Sequence, residues 1–120
     1  MPTNLLWNWL PATVVMVAIS VIYYVTDNSP RTITRFVVSA HGAFGAIIFS
    51  VAIAVWTAGR SSIDLAWPFT LLFVLPVASM LASLILYRGN KQIHLLLVPN
   101  LICMAWAWVV GGMAVTNDWL

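Results

Sequence analysis

Two histidines are the side chains of this 120-residue sequence best suited to chemistry. His41 stands inside an apolar run, in Ser39-Ala40-His41-Gly42, and His94 opens another, in Gln92-Ile93-His94-Leu95. A neutral imidazole offers one donor and one acceptor, ligates metals through either nitrogen, and takes up a proton near neutral pH. Ionisable groups within long apolar stretches face the inside of a helix bundle, where they find partners. His41 is therefore the candidate cofactor-binding residue, and haem b held by two imidazoles from separate helices is the alternative chemistry it allows. Helical rise weakens that pairing, because His94 lies about 6–10 Å nearer the helix end than His41 does. No carboxylate stands near as a third ligand. The sequence thus predicts no cofactor and no metal, and reads His41 first as a hydrogen-bonded structural residue.

Asn100 is the other polar residue set deep in an apolar run, directly after Pro99, and Pro76 interrupts the run before it. Proline inside a helix removes a donor and frees a carbonyl. An Asn in such surroundings needs a partner, worth about 0.6–2 kcal/mol, from among Ser79, Ser83, His41 or the carbonyl freed by Pro99. A kink with a polar side chain beside it is also how a midplane binding site is built. His41 and Asn100, with Trp106 and Trp108, make up the candidate polar path or pocket. The two tryptophans lie about 20 Å along their helix, too deep for interfacial rings.

The remaining chemistry is sparse. Asp27, Asp64 and Asp118 are the only carboxylate side chains, there is no Glu, and none stands in the interior of an apolar run, Asp64 only opening the third. Paired acid–base work and a di-metal carboxylate site are therefore excluded. Ser39 and His41 are two residues apart and do not face each other on a helix. Cys103 is alone, which excludes an internal disulfide and a multi-cysteine metal site. No phosphate-cradling glycine loop occurs, and five scattered cations make no nucleic-acid footprint. No catalytic residue is assigned, and the chain reads as a non-enzyme.

The elements that must position these residues follow from composition. Hydrophobic residues make up 62% of the chain and charged ones 7%, against roughly 25% charged in an ordinary domain. Mean hydropathy is +0.99. The charges divide the sequence into four apolar runs at about 5–25, 36–58, 64–87 and 93–115. Each matches the roughly 20 residues a helix needs to cross a bilayer. The predicted fold is one all-α integral membrane domain, a four-transmembrane-helix bundle with short loops. Arg31, Arg35, Arg88 and Lys91 fall in the first and third connections and only Arg60 in the second. The positive-inside rule then places both termini on the outer, non-cytoplasmic side. The start of the sequence lacks the cationic segment and cleavage site of a secretory signal, so the first run is expected to be retained. An Arg60–Asp64 ion pair is expected in the outer loop.

Aromatic residues segregate in the same sense. Trp7, Trp9, Trp56, Trp67 and Trp119 fall at the predicted outer ends, and Tyr23, Tyr24 and Tyr87 at the inner ends, as an interfacial belt would. Along the second run Gly42, Ala46, Ser50, Ala54 and Ala58 recur every fourth residue. Such a ridge of small side chains lets helix backbones approach closely, which is a main source of packing energy in lipid. The predicted function is that of a non-catalytic polytopic subunit, of accessory, assembly or immunity type. It would act by packing with a membrane-protein partner or as a homo-oligomer in the bilayer of the inner or plasma membrane. A small oligomeric permease or channel using His41 and Asn100 is the first alternative, and a haem- or quinone-associated subunit the second.

Overall fold

The computed structural model describes residues 5–118 and is all-helical. Helix α1 spans Leu5–Thr26 and α2 spans Thr32–Thr57. A 3-10 turn at Ile63–Leu65 leads into α3 (Ala66–Leu72) and α4 (Val74–Leu86), and a second at Lys91–Leu96 leads into α5 (Leu97–Thr116). Four helical stretches are long and apolar enough to cross a membrane: Leu6–Thr26, Thr32–Thr57, Ile63–Leu86 and Lys91–Thr116.

Local chemistry explains where these elements stop. Asp27 closes α1 by turning its carboxylate back on the loop, Oδ1 accepting from the Ser29 amide at 3.1 Å and the Ser29 hydroxyl at 2.9 Å. Pro30 then holds the residue before it out of the helical region. Helix α2 starts at Thr32, one turn earlier than the charges alone suggest. Arg35 is tolerated inside it because its guanidinium reaches back to the Tyr24 carbonyl at 2.8 Å and stacks 4.5 Å over the Tyr24 ring. At the far end Gly59 adopts φ 70°, and the Gly59 and Arg60 amides cap the Trp56 and Val55 carbonyls. Asn117, at φ 55°, ends α5 in a similar way, its own amide and that of Asp118 capping the Ala114 and Met113 carbonyls.

Two prolines set the irregular turns. Pro76 has no amide for the Leu72 carbonyl and its ring crowds that group. Leu72 is where α3 ends, and Phe73 forms the single-residue break before α4. The sequence places Pro99 in a helix interior, but it falls in the first turn of α5, with the six residues Lys91–Leu96 wound as a 3-10 helix ahead of it. Proline is tolerated in the first turn of an α-helix far better than in its interior.

The helices alternate in direction. At one end the Asn28 amide donates to the Arg88 carbonyl at 2.7 Å and so joins the first and third connections. At the other the Ser62 amide reaches the Val115 carbonyl at 2.8 Å, and the Trp106 indole reaches the Asn8 carbonyl at 3.1 Å. Helix α2 packs on α1, α4 and α5, and α5 closes the ring against α1 and α3. Burial follows this arrangement: 56% of the α2 stretch is buried inside the bundle against 28% for each of the others. The bundle measures 44 × 25 × 19 Å.

Candidate functional site

The buried polar residues gather at the end of the bundle where α1, α4 and the 91–96 turn meet. Tyr23, His41, Ser83 and Asn100 are wholly buried, and Tyr87 is 1% exposed. Each of the four long stretches contributes. Tyr23 comes from the last turns of α1 and His41 from the buried centre of α2. Ser83 and Tyr87 come from the end of α4, His94 from the 3-10 turn, and Asn100 from the first turns of α5.

Tyr23 is the hub. Its hydroxyl lies 2.9 Å from His94 Nδ1 and 3.4 Å from the Ile93 carbonyl. Its ring meets His41 edge-on at 4.7 Å between centroids, and Tyr87 edge-on at 5.3 Å. Tyr87 in turn donates to Thr26 Oγ1 at 2.7 Å and stacks edge-on against His94 at 5.5 Å. Lys91 closes the end of the cluster by donating to the Tyr87 carbonyl. On the inner side Asn100 Nδ2 meets His41 Nδ1 at 3.1 Å and Met104 Sδ at 3.6 Å. This contact joins the Asn100 amide group to the His41 imidazole, whose Nδ1 donates or accepts according to its tautomer. His41 Nε2, His94 Nε2 and Asn100 Oδ1 have no hydrogen-bond partner among the described residues. Each buried unmet group costs about 1–3 kcal/mol, so the cluster carries hydrogen-bonding capacity beyond what holding the helices together needs.

The sequence-derived residues separate on this geometry. His41 and Asn100 come together, which selects one of the four partners considered for Asn100. Trp106 and Trp108 do not join them. They sit two residues apart on α5 and so diverge around it, 44% and 49% exposed. Trp106 donates to Asn8 and lines a groove of about 650 Å³ between α1 and α5 with Trp7, Pro11 and Cys103. Trp108 donates to Thr70 Oγ1 at 3.1 Å and borders grooves on the α3 side. The depth mismatch between the histidines is bridged by Tyr23, which reaches both. For haem b two imidazoles must face a flat macrocycle between them, and here the Tyr23 ring packs against both. Among the described residues no three potential metal ligands cluster.

The small-residue ridge of α2 is also divided. Gly42 meets α1 so closely that a Cβ there would overlap the Met16 carbonyl, and the Ala43 amide donates to Ser20 Oγ at 2.8 Å beside it. Ala46 is buried, while Ser50 is half-buried and accepts from the Trp9 indole at 3.0 Å. Ala54 is exposed, and Ala58 is exposed and lies just past the helix as its cap. A four-residue step advances by about 400°, so the ridge rotates about 40° per step away from α1. Its outer part, with Thr13, Ala43 and Ile47, borders an open groove of about 550 Å³ between α1 and α2.

Tyr23 and Tyr87 carry no signal of this role in the sequence, where both fall in the predicted interfacial belt. Both are buried because each hydroxyl finds an internal partner, and only Tyr24 stays half-exposed. The serine pair four residues apart, Ser79 and Ser83, is the available signal for a polar face on α4. The expected Arg60–Asp64 pair does not form; among the described residues the Asp64 amide instead bonds Ser62 Oγ at 3.3 Å. The expected outer position of Trp119 lies outside the described residues. Compared with protein-family models, with curated proteins and with solved structures, the chain matches none.

Proposed function

We propose that this is a multi-pass protein of the inner or plasma membrane, crossing it four times with both termini outside. In this reading it serves as a non-catalytic subunit, of accessory, assembly or immunity type, that packs against a membrane partner or a second copy. Membrane insertion is supported by four stretches of 21 to 26 residues with mean hydropathy of 1.8 to 2.4. It is supported too by exposed apolar side chains on all four, such as Val14, Ile47, Leu75 and Leu101. The orientation rests on Arg31, Arg35, Arg88 and Lys91 in the first and third connections against Arg60 in the second, read by the positive-inside rule.

The observation that carries the subunit reading is the half-used ridge on α2. Gly42 and Ala46 pack within the chain, while Ala54 stays exposed beside the open α1–α2 groove. Lipid tails give helices no hydrophobic reason to associate, so close backbone approach over small residues does that work. The test is Ala54→Leu, which leaves the internal packing of α2 untouched and fills the groove. Crosslinking in native membranes and sizing in mild detergent should show an assembled species for the unaltered chain and lose it in Ala54→Leu. Undiminished assembly in Ala54→Leu, or a monomer with no stoichiometric partner in the unaltered chain, refutes the reading.

A second reading, a small oligomeric permease or channel, is favoured by one observation: unmet polar atoms on His41 and Asn100, both wholly buried. Liposome flux that His41→Ala and Asn100→Ala abolish would support it, and unchanged flux would end it.

A further inference from the structure

The loops at the cation-bearing end enclose a pocket of about 260 Å³ lined by Ser29, Pro30, Arg31, Thr34, Leu86 and Arg88. We propose that it is a binding site for a phosphoryl group, with Arg31 and Arg88 as the principal ligands and anionic lipid headgroups as its source in the membrane. This rests on the membrane-spanning reading above.

Three features argue for it. First, two arginines from different connections, Arg31 and Arg88, line one pocket, and no carboxylate residue lines it. Guanidinium is the side-chain group whose forked donors match phosphate oxygens best. Second, the two arginines are brought together by a built clasp. The Asn28 amide donates to the Arg88 carbonyl at 2.7 Å, and the Arg88 amide donates to Asp27 Oδ1 at 3.1 Å. Asp27 is 3% exposed and that oxygen also accepts from Ser29, so its carboxylate is turned into the clasp and does not line the pocket. Third, Arg31 and Thr34 belong to the start of α2, a 26-residue helix with no side-chain cap and no acidic residue in its first turn. Its amides and dipole add positive potential where an anion would sit.

The position fits the ligand. The pocket lies where α1 ends at Thr26, α2 begins at Thr32 and α4 ends at Leu86, which is headgroup depth for helices that cross a bilayer. Pro30 and Leu86 supply an apolar wall toward the acyl chains, and basic pockets between membrane helices are a recurrent way of holding anionic headgroups. A choline headgroup would bring its own cation beside the arginines, so phosphatidylglycerol should be preferred over phosphatidylcholine.

Native mass spectrometry of the full-length protein in detergent, titrated separately with phosphatidylglycerol, phosphatidylcholine and inorganic phosphate, tests this. One phosphatidylglycerol per chain should be retained in preference to phosphatidylcholine. R31Q and R88Q should each weaken it about tenfold or more, as expected for loss of a charge-assisted hydrogen bond. R60Q, at the opposite end, and R35Q, whose guanidinium is occupied by Tyr24, should bind as the unaltered chain does. Arg31→Lys together with Arg88→Lys should keep part of the affinity, which separates loss of ligand contacts from loss of folding. Binding of inorganic phosphate with the same arginine dependence, but not of the lipid, would keep the phosphoryl site and overturn the lipid source. No arginine-dependent binding of either, or equal loss in R60Q, overturns the site. Recovery of the protein in the soluble fraction after alkaline washing of membranes would instead refute the membrane-spanning reading.

Discussion

Replacing Gly42 by alanine adds one methyl group where α2 lies directly against the α1 backbone. A Cβ there would lie 2.8 Å from both the Met16 carbonyl carbon and Ser20 Oγ, and would overlap the Met16 carbonyl oxygen. Non-bonded carbons settle about 3.5–4.0 Å apart, so α1 must withdraw by roughly 1 Å. Overpacking of this kind costs about 1–3 kcal/mol. Withdrawal also stretches the 2.8 Å bond from the Ala43 amide to Ser20 Oγ, worth about 1 kcal/mol. Against these stands the gain of about 1 kcal/mol in helix propensity on exchanging Gly for Ala. The balance is a loss of about 1–3 kcal/mol, and about 2 kcal/mol moves the folded-to-unfolded ratio roughly 30-fold. Gly112→Ala is the control, since a Cβ on Gly112 meets nothing within 4 Å. The same substitution there should be neutral or stabilising by up to about 1 kcal/mol. Reversible unfolding in mixed micelles, followed by circular dichroism against the mole fraction of denaturing detergent, reads both. Equal midpoints for the two variants would refute close packing of α1 on α2 at Gly42.

Other outcomes follow from single features. Gly59→Ala forces a side chain into φ 70° and should cost about 1–2 kcal/mol; Gly59→Asn should cost less, and equal midpoints for both would deny the left-handed cap. Asp27→Ala strands the Ser29 and Arg88 amides, so hydrogen exchange at those two amides should accelerate relative to helix interiors. Unchanged protection would show that the loop clasp does not depend on the carboxylate. A double-mutant cycle on His41→Ala and Asn100→Ala should give a coupling of about 0.6–2 kcal/mol; additive effects would mean that the two side chains do not bond.

Legibility in the sequence is uneven for physical reasons. The four apolar stretches are plain because charge is costly among apolar surroundings, so eight charged side chains, five basic and three acidic, mark most of the boundaries. Arg35 shifts one of them, since a long side chain keeps its head at the helix end while its residue belongs to the helix. Pro76 is legible as an interruption, and its four-residue reach back to Leu72 fixes the place of the break. Pro99 is misplaced by the sequence because a 3-10 segment precedes it, and hydropathy does not distinguish a 3-10 from an α turn. His41 and Asn100 stand out separately, with their contact as one of several options. Tyr23 and Tyr87 do not stand out, because a tyrosine near a helix end has the same composition signature whether its hydroxyl turns outward or inward.

The sequence by itself determined that the chain is helical, where its four long apolar stretches fall, and that no carboxylate stands in their interiors, Asp64 lying at the very start of the third. Those properties depend on composition and on spacing along one helix. The tertiary structure decided what needs two or more helices at once. It placed α2 at the centre, turned part of the small-residue ridge inward and part outward, and set Tyr23 between two histidines. It also drew Arg31 and Arg88, 57 residues apart in the chain by their numbering, to the rim of one pocket. Contacts of that kind are fixed by the rotation of each helix about its own axis, which depends on the packing of all its neighbours and is written in no single stretch of sequence.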